Sequence, residues 1–243
     1  EKGAQPSPLL IVLGREMGDI DLDSFHRVGL ILAGKGFLVV SLDLPCHGAE
    51  LRPGESSGVA GWRTRLTNGE NAVAGFTKRA VAVLSYLIEQ KYADPKRIAV
   101  AGSSRGGFMA LHLAAAEPRI AAAIAFAPVT GLRAVREFKG VANDTLVRSL
   151  DIMNQAAKLA DRAIWISMGH NDTRVDSHHA IDFALNLMKW SGIQEKPMTD
   201  SWSGDRIKLT ITPSESPDGH STYRSAHEEA AQWLLTRLSA RHE

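Results

Sequence analysis

Three separate segments of this chain carry side chains that could together perform nucleophilic chemistry. The first is Gly102-Ser103-Ser104-Arg105-Gly106, which has the spacing G-x-S-x-G and follows an apolar run at residues 97–101. The other two segments contain Asp172 and His220. A histidine can take the proton of a serine hydroxyl, and a carboxylate can orient that histidine and stabilise its charge. The sequence therefore suggests a serine nucleophile, provided that the fold brings the three segments together.

The glycines around the serine pair have a steric explanation. A nucleophile on a tight strand-to-helix turn has a strained backbone, and the residues two positions away on either side must be small. Gly102 and Gly106 stand in those positions relative to Ser104, so Ser104 rather than Ser103 is the predicted nucleophile. The backbone N–H of Arg105, at the start of the predicted helix, is a predicted oxyanion donor. An ordinary turn rich in glycine and serine is the alternative.

The elements that must position these segments are indicated by alternating apolar and amphipathic runs. Strands are predicted at residues 8–14, 37–42, 97–101, 120–126, 163–167 and 207–212, and helices at 23–35, 77–90, 106–115, 177–190 and 223–238. Strands that are apolar throughout and separated by helices predict an α/β fold with a mostly parallel central sheet, flanked by helices on both faces. Residues 48–75 are expected to form a long loop or a short helical excursion. We predict a single domain over residues 1–243, with a small cap-like insertion at about 129–160.

The predicted acid and base both follow strands of this sheet. Catalytic groups in such folds gather at the carboxyl ends of the strands. Asp172 comes directly after the strand at 163–167, and His220 follows the strand at 207–212. Asp176 is the alternative acid, although its position suits the first turn of the next helix better. His178 and His179 are adjacent on that helix and cannot both face one metal ion, so no metal site is predicted.

The overall composition excludes several classes of function. The chain has 243 residues, 44% hydrophobic and 23% charged, with a formal net charge of +1. Its basic residues are scattered, so neither nucleic-acid nor membrane binding is expected. Cys46 is the only cysteine, which excludes an intrachain disulfide. With no apolar run of roughly 18 residues, a soluble protein is expected. It would be cytoplasmic or, given the polar start at residues 1–6, exported after removal of a signal peptide.

The motifs resemble those of the α/β-hydrolase superfamily, and most closely its esterase, dienelactone-hydrolase-like and prolyl-oligopeptidase-like branches. The segments G-S-S-R-G-G, G-H-N-D-T-R-V and D-G-H-S occur in the order expected of that superfamily. The segment at 42–48 is similar to its D-x-x-G-H-G motif, with Pro45 and Cys46 as departures. The similarity spans about residues 9–238. It implies that the superfamily's earlier strands are missing or lie outside this sequence.

The resemblance also implies an activity and roles for individual residues. The expected catalytic triad is Ser104, Asp172 and His220, and the second oxyanion donor is the backbone N–H of Arg15, with Glu16 as the alternative. Candidate substrate-binding residues are Trp62, Arg63 and Glu16. For Trp62 and Arg63 the alternative is a solvated loop with one buried tryptophan.

The predicted substrate is a small-molecule carboxylic ester of small or moderate size, cleaved without a cofactor. One alternative is a peptidase resembling the prolyl oligopeptidases, although those normally carry an N-terminal propeller that this sequence does not supply. The other is a non-catalytic relative that binds a ligand. The sequence leaves the oligomeric state open.

Overall fold

A parallel sheet forms the centre of the molecule. The computed structural model describes residues 5–18, 23–192, 206–214 and 216–239, so the polar start at residues 1–4 lies outside it. The strands are β1 (Ser7–Leu13), β2 (Leu38–Ser41), β3 (Ala93–Ser103), β4 (Ile120–Phe126), β5 (Ala163–Gly169) and β6 (Ile207–Thr212). They lie in the order β2-β1-β3-β4-β5-β6, and each pair of neighbours is parallel. The predicted α/β fold with a parallel sheet is confirmed.

Helices cover both faces of this sheet. They are α1 (Asp23–Ala33), α2 (Gly58–Thr67), α3 (Ala72–Glu89), α4 (Arg105–Ala116), α5 (Thr145–Ser149), α6 (Ala156–Leu159), α7 (Ser177–Trp190) and α8 (Ala226–Ser239). Side chains alternate between the two faces along each strand. In β1, Leu9 and Ile11 therefore join the core under α2, α3, α4 and α7, whereas Leu10 and Val12 join the core under α1 and α8. None of the helices in the described ranges has the length and hydropathy needed to cross a bilayer.

The segment between β2 and α3 is largely helical. Residues 48–75 contain a 3-10 helix, Gly48–Glu50, then the whole of α2 and the start of α3. Helix α3 begins at Ala72 because the side chain of Asn71 caps it, accepting a hydrogen bond from the backbone N–H of Ala74 at 2.9 Å. Of the two alternatives that the sequence left open for this segment, a long loop or a short helical excursion, the structure has the helical one.

The segment predicted as a small cap, residues 129–160, consists of short helical pieces. Helices α5 and α6 alternate there with 3-10 helices at Leu132–Ala134, Arg136–Phe138 and Ile152–Gln155. Phe138 and Ile152 are buried and belong to the same core as α4. The segment therefore rests on the sheet's helical layer, close to the carboxyl ends of the strands. Its role as a cap, and the single-domain organisation, stay predictions.

Candidate active site

Ser104 lies on a sharp turn between β3 and α4. Its backbone has φ 54° and ψ −115°, a combination that L-residues rarely adopt. A Cβ added to Gly102 would overlap the backbone of Gly106, and one added to Gly106 would overlap the carbonyl of Leu13. The strand, the turn and the helix are therefore in backbone contact, which only glycine permits. This is the steric arrangement that the G-x-S-x-G spacing predicted.

His220 and Asp172 lie beside Ser104 and form one chain of hydrogen bonds with it. Nε2 of His220 is 2.9 Å from Oγ of Ser104, and Nδ1 is 2.8 Å from Oδ2 of Asp172. Because a carboxylate only accepts, Nδ1 carries the proton and donates it to Asp172. Nε2 is then the acceptor for the Ser104 hydroxyl. The arrangement can remove a proton from the serine and hold the resulting imidazolium beside a negative charge.

The Asp172 carboxylate is fixed by backbone donors of its own loop. Its side chain is fully buried, and Oδ1 accepts hydrogen bonds from the N–H groups of Arg174 at 2.9 Å and Val175 at 3.1 Å. The hydroxyl of Ser177 bridges the loop, accepting from the Asp172 N–H at 3.0 Å and donating to the Gly169 carbonyl at 2.8 Å. These contacts leave Oδ2 directed at His220.

The loops that carry the acid and the histidine are held against each other. Thr173 donates through its N–H and its hydroxyl to the carbonyl of Asp218, at 2.8 and 3.1 Å. Gly219 has φ 74°, and a Cβ there would overlap the Asn171 carbonyl. The backbone N–H of His220 donates to the Asp218 carboxylate at 3.0 Å. The distance between acid and base is thus set by direct contact between two loops that follow neighbouring strands.

Asp176, the alternative acid, has a different role. It precedes α7 and accepts hydrogen bonds from the N–H groups of His178 and His179 at 3.0 and 3.4 Å. It is the N-cap of that helix, as its sequence position suggested.

The predicted oxyanion donors lie on either side of the same contact. Arg105 is the first residue of α4, so its N–H points out of the helix end. Arg15 follows β1, and the contact between Gly106 and the Leu13 carbonyl brings that loop against α4. The Arg15 carbonyl accepts from the Leu44 N–H at 3.0 Å. The structure thus brings both predicted donors to the turn that carries Ser104.

Asp43 organises this side of the site without contacting the triad. Its carboxylate accepts hydrogen bonds from the N–H groups of Met17, at 2.6 Å, and Ala49, at 2.9 Å. It therefore joins the loop after β1 to the loop after β2. Glu16 helps in the same way, accepting from the Gly48 N–H at 3.1 Å.

Two cavities flank the turn that carries Ser104. The first, here called the arginine cavity, has a volume of about 340 Å³ and is lined by residues that include Arg15, Glu16, His47, Arg105, Glu137 and Arg174. The second, the histidine cavity, has a volume of about 410 Å³ and is lined by residues that include Ser103, Ser104, Phe126, His220, Ser221 and His227. Arg105 lines both, so both cavities lie beside the residue that follows Ser104.

The structure corrects part of the predicted substrate-binding set. Trp62 is only 1% exposed, donates from Nε1 to the Pro45 carbonyl at 2.6 Å, and packs against Phe108 in the core. It cannot form a substrate wall, because its indole is packed in the core, where burial of its apolar surface stabilises the fold. Arg63 is exposed and lines neither of the two cavities, whereas Glu16 lines the arginine cavity.

Several cavity residues were missed by sequence reasoning. Nη1 of Arg105 lies 2.9 Å from Nε2 of His47, so the Arg105 side chain, and not only its backbone, belongs to the site. Arg174 donates to Glu137 at 2.8 Å and joins the acid loop to the segment at 129–160. Arg174 stands in the quoted segment G-H-N-D-T-R-V and could have been considered. Nothing in the sequence distinguishes Glu137 from other charged residues of its segment.

Comparisons with known proteins agree with this architecture. The sequence model of the prolyl oligopeptidase family matches residues 60–232. A comparison with curated proteins produced no match. Among solved structures, TT1662 from Thermus thermophilus is 18% identical with a TM-score of 0.71, over 98% of this chain and 92% of that one.

Two structures with an activity in their names are similar as well. A glucuronoyl esterase from Teredinibacter turnerae is 17% identical, with a TM-score of 0.62, over 97% of this chain and 67% of that one. A cold-adapted esterase from an Arctic intertidal metagenomic library is 18% identical, with a TM-score of 0.63, over 96% and 84%. At such identities the likeness shows a shared fold, the α/β-hydrolase fold.

Proposed function

The chain belongs to the prolyl oligopeptidase family and is a serine hydrolase, and we propose that its substrates are carboxylic esters of small or moderate size. The observation that carries the proposal is the hydrogen-bonded chain Ser104–His220–Asp172, with separations of 2.9 and 2.8 Å. Cavities of about 340 and 410 Å³ beside it have the volume of small-molecule sites, which supports the substrate size. Esterases among proteins of the same fold are consistent with ester cleavage.

In the proposed reaction Ser104 attacks the ester carbonyl. Its Oγ forms the new bond to the carbonyl carbon as the hydroxyl proton moves to Nε2 of His220. The bond to the alcohol oxygen then breaks, and His220 returns the proton to that oxygen. Water repeats the sequence on the acyl-enzyme and releases the acid. Asp172 keeps the proton on Nδ1 and stabilises the imidazolium in both halves of the cycle.

The negative charge that forms on the carbonyl oxygen requires donors. We assign this role to the backbone N–H groups of Arg105 and Arg15, with Glu16 as the alternative to Arg15. In serine proteases, loss of one such donor costs about 3–4 kcal/mol of transition-state stabilisation. Because the donors are backbone groups, their contribution depends on the contact between α4 and the end of β1.

A fluorophosphonate probe tests the proposed nucleophile directly. We expect the wild type to be labelled at Ser104, and Ser104→Ala to be neither labelled nor active on 4-nitrophenyl acetate. His220→Ala should lose most of its turnover while keeping the thermal unfolding midpoint of the wild type within a few degrees. Absence of labelling in a folded wild-type protein, or full acetate turnover by His220→Ala, would contradict the assignment.

Peptide hydrolysis is the second candidate, and the family match favours it. The same three side chains could cleave an amide, with His220 protonating the leaving amine. Turnover of 4-nitrophenyl acetate and of an Ala-Pro 4-nitroanilide distinguishes the two substrates. Faster anilide turnover, compared as kcat/KM after correction for intrinsic reactivity, would replace the ester proposal with the peptidase one.

A further inference from the structure

The two cavities differ in their relation to the proposed base. The histidine cavity is lined by His220, Ser221 and Phe126, whereas His220 does not line the arginine cavity. His220 must reach the leaving oxygen to protonate it, so the alcohol part of an ester has to lie on the His220 side. The acyl part then extends toward the arginine cavity. This division rests on the proposed ester hydrolysis.

The arginine cavity is rich in cationic side chains. Arg15, Arg105 and Arg174 line it together with two carboxylates, Glu16 and Glu137. Each carboxylate has a protein donor: Glu16 accepts from the Gly48 N–H at 3.1 Å, and Oε1 of Glu137 accepts from Arg174 at 2.8 Å. Oε2 of Glu137 is buried and has no donor among the described residues.

The bond to Glu137 does not use all the donors of Arg174. Its second terminal nitrogen, Nη1, is buried and has no hydrogen-bond acceptor among the described residues. A buried guanidinium nitrogen without an acceptor is unusual in a protein. A ligand oxygen would supply the missing acceptor if it came within hydrogen-bond distance of this nitrogen.

The Arg105 guanidinium is held in place by a neutral partner. Nδ1 of His47 lies 2.9 Å from the Pro45 carbonyl and must donate to it, so Nε2 is the acceptor for Nη1 of Arg105. Burial is the main reason that the pKa of His47 lies below its usual value, and the charge of Arg105 lowers it further. This hydrogen bond therefore positions the guanidinium without cancelling its charge.

The start of α2 adds to the positive field. Residues 57–60 line the cavity, and the first turn of the helix contains no acidic residue. Gly58 has φ 67°, and a Cβ there would come within 2.9 Å of Nη1 of Arg105. The chain thus leaves room at the helix end for the guanidinium, and the positive end of the helix dipole faces the same space.

We propose that the arginine cavity binds an anionic group on the acyl part of the substrate, such as the free carboxylate of a half ester of a dicarboxylic acid. Arg105 and Arg174 would hold the carboxylate, and Arg15 would add to the attraction. A carboxylate and a guanidinium form paired, charge-assisted hydrogen bonds. The preference for an anionic substrate would therefore depend on the geometry of the guanidinium groups as well as on their charge.

Two matched esters test this preference. One is 4-nitrophenyl hydrogen adipate, whose far end is a carboxylate; the other carries a carboxamide in place of that carboxylate. Both release 4-nitrophenolate and have nearly the same shape, so intrinsic reactivity and size cancel in the comparison. We expect the wild type to have a kcat/KM at least tenfold higher for the carboxylate ester, mainly through a lower KM, as one charge-assisted hydrogen bond would produce.

Three variants locate the origin of the preference. Arg105→Gln and, independently, Arg174→Gln should each reduce the ratio of the two kcat/KM values by about tenfold. Arg105→Lys should give an intermediate ratio, because it keeps the charge and loses the planar fork. Arg63→Gln is the matched control: it removes the same charge from an exposed position on α2 that lines neither cavity, and the ratio should not change.

The outcomes separate this inference from the proposed function. Equal turnover of the two esters by a wild type that is labelled at Ser104 would overturn the anionic preference and leave ester hydrolysis standing. An equal fall in the ratio for Arg63→Gln would also overturn it, because long-range charge would then explain the effect. If neither ester is cleaved and the probe does not label Ser104, ester hydrolysis itself fails.

Discussion

At Ser104, the backbone conformation is imposed by its neighbours rather than by the side chain. Its N–H donates to the Phe126 carbonyl at 2.7 Å, and its carbonyl accepts from the N–H groups of Phe108 and Val129, both at 3.1 Å. These bonds come from a strand, a helix and a loop, and together they maintain φ at 54°. The hydroxyl is thus presented to His220 by contacts that substitution of the side chain leaves intact.

The two aspartates of the loop after β5 provide a matched prediction at the residue scale. In Asp172→Asn the amide can donate to Nδ1 of His220, which would place the imidazole proton on Nε2 and prevent it from accepting the Ser104 proton. We expect kcat/KM to fall roughly 10³- to 10⁴-fold. Asp176→Asn removes the same charge, but asparagine caps a helix equally well and tolerates the φ of 69°.

Activity toward 4-nitrophenyl acetate measures both variants of this pair. The Asp176→Asn protein should stay within about twofold of the wild type. A comparable loss of activity in both variants would contradict the role of Asp172 as the residue that orients His220.

At the scale of the element, the first turn of α4 is the point where strand, helix and loop meet. Backbone contacts at Gly102 and Gly106 set the distance from β3 and from the end of β1 to this helix. The helix therefore positions the Ser104 hydroxyl and the Arg105 N–H together. A change in its packing should alter stability and activity at once.

Two helical glycines test this contact. Gly106→Ala adds a methyl group against the Leu13 carbonyl, and we expect it to lower the free energy of unfolding by about 2–3 kcal/mol and to slow labelling of Ser104. Gly75→Ala, in α3, adds the same methyl group where nothing lies within 4 Å. It should raise the free energy of unfolding by about 0.5–1 kcal/mol and leave labelling unchanged. Urea unfolding measures the stability of both variants. Equal changes in the free energy of unfolding would show that helix propensity, and not the contact with the Leu13 carbonyl, determines the effect of the methyl group.

The middle of α4 contains a buried histidine with a pH-dependent effect on stability. His112 donates from Nε2 to the Leu150 carbonyl at 3.0 Å, and burial lowers its pKa to about 4. The pKa of a histidine in an unfolded chain is about 6.5. As the pH falls below that value, the unfolded state therefore binds a proton that the folded state does not bind. This group's stabilisation is present above pH 6.5 and is lost between pH 6.5 and 4. The loss is roughly 3 kcal/mol, at about 1.4 kcal/mol for each pH unit.

His112→Gln removes this titration and keeps an N–H donor for Leu150. The fall in the free energy of unfolding between pH 6.5 and 4, measured with urea, should therefore be smaller in the variant. The difference would come from His112 alone, because the other titrating groups are the same in both proteins. Parallel pH profiles would show that folding does not lower the pKa of His112.

For the whole molecule, the site depends on loops that follow several different strands. Ser104 follows β3, Asp172 follows β5 and His220 follows β6, and Arg15, the proposed second oxyanion donor, follows β1. The two cores lie on opposite faces of the sheet, one containing Trp62 and the other Trp165 and Trp233. The hydrogen-bonded chain of Ser104, His220 and Asp172 should therefore form only when the sheet and both helical layers are in place.

Loss of the site and unfolding of the chain should therefore occur together. Near-UV circular dichroism, which reports tryptophans on both faces of the sheet, and fluorophosphonate labelling of Ser104 should give the same urea midpoint. This would support the predicted single domain with the segment at 129–160 as part of it. Labelling that disappears at a lower urea concentration than the circular dichroism signal would indicate that part of the chain unfolds separately.

Local patterns in the sequence were enough to predict the fold and to select Ser104, Asp172 and His220, which lie in one hydrogen-bonded chain in the structure. Strand β4 at Ile120–Phe126, β6 at Ile207–Thr212 and helix α7 at Ser177–Trp190 agree with their predictions, because a buried strand and an amphipathic helix have distinct apolar periods. The glycines at 102 and 106 indicated the turn because their requirement is steric and local. Where the apolar signal was weak, as in residues 48–75, the sequence left a loop and a short helical excursion open, and the structure has the helix α2 there.

Only the tertiary structure decided which side chains surround the nucleophile. Trp62 was expected at the substrate and lies in the core. Arg105 was expected to contribute its backbone N–H, and the structure shows that this residue also lines both cavities. The pairs His47–Arg105 and Glu137–Arg174 join residues that are far apart in the chain. Their contacts exist because separate loops converge at the carboxyl edge of one parallel sheet, and the local signals that specify strands and helices carry no information about where long side chains meet.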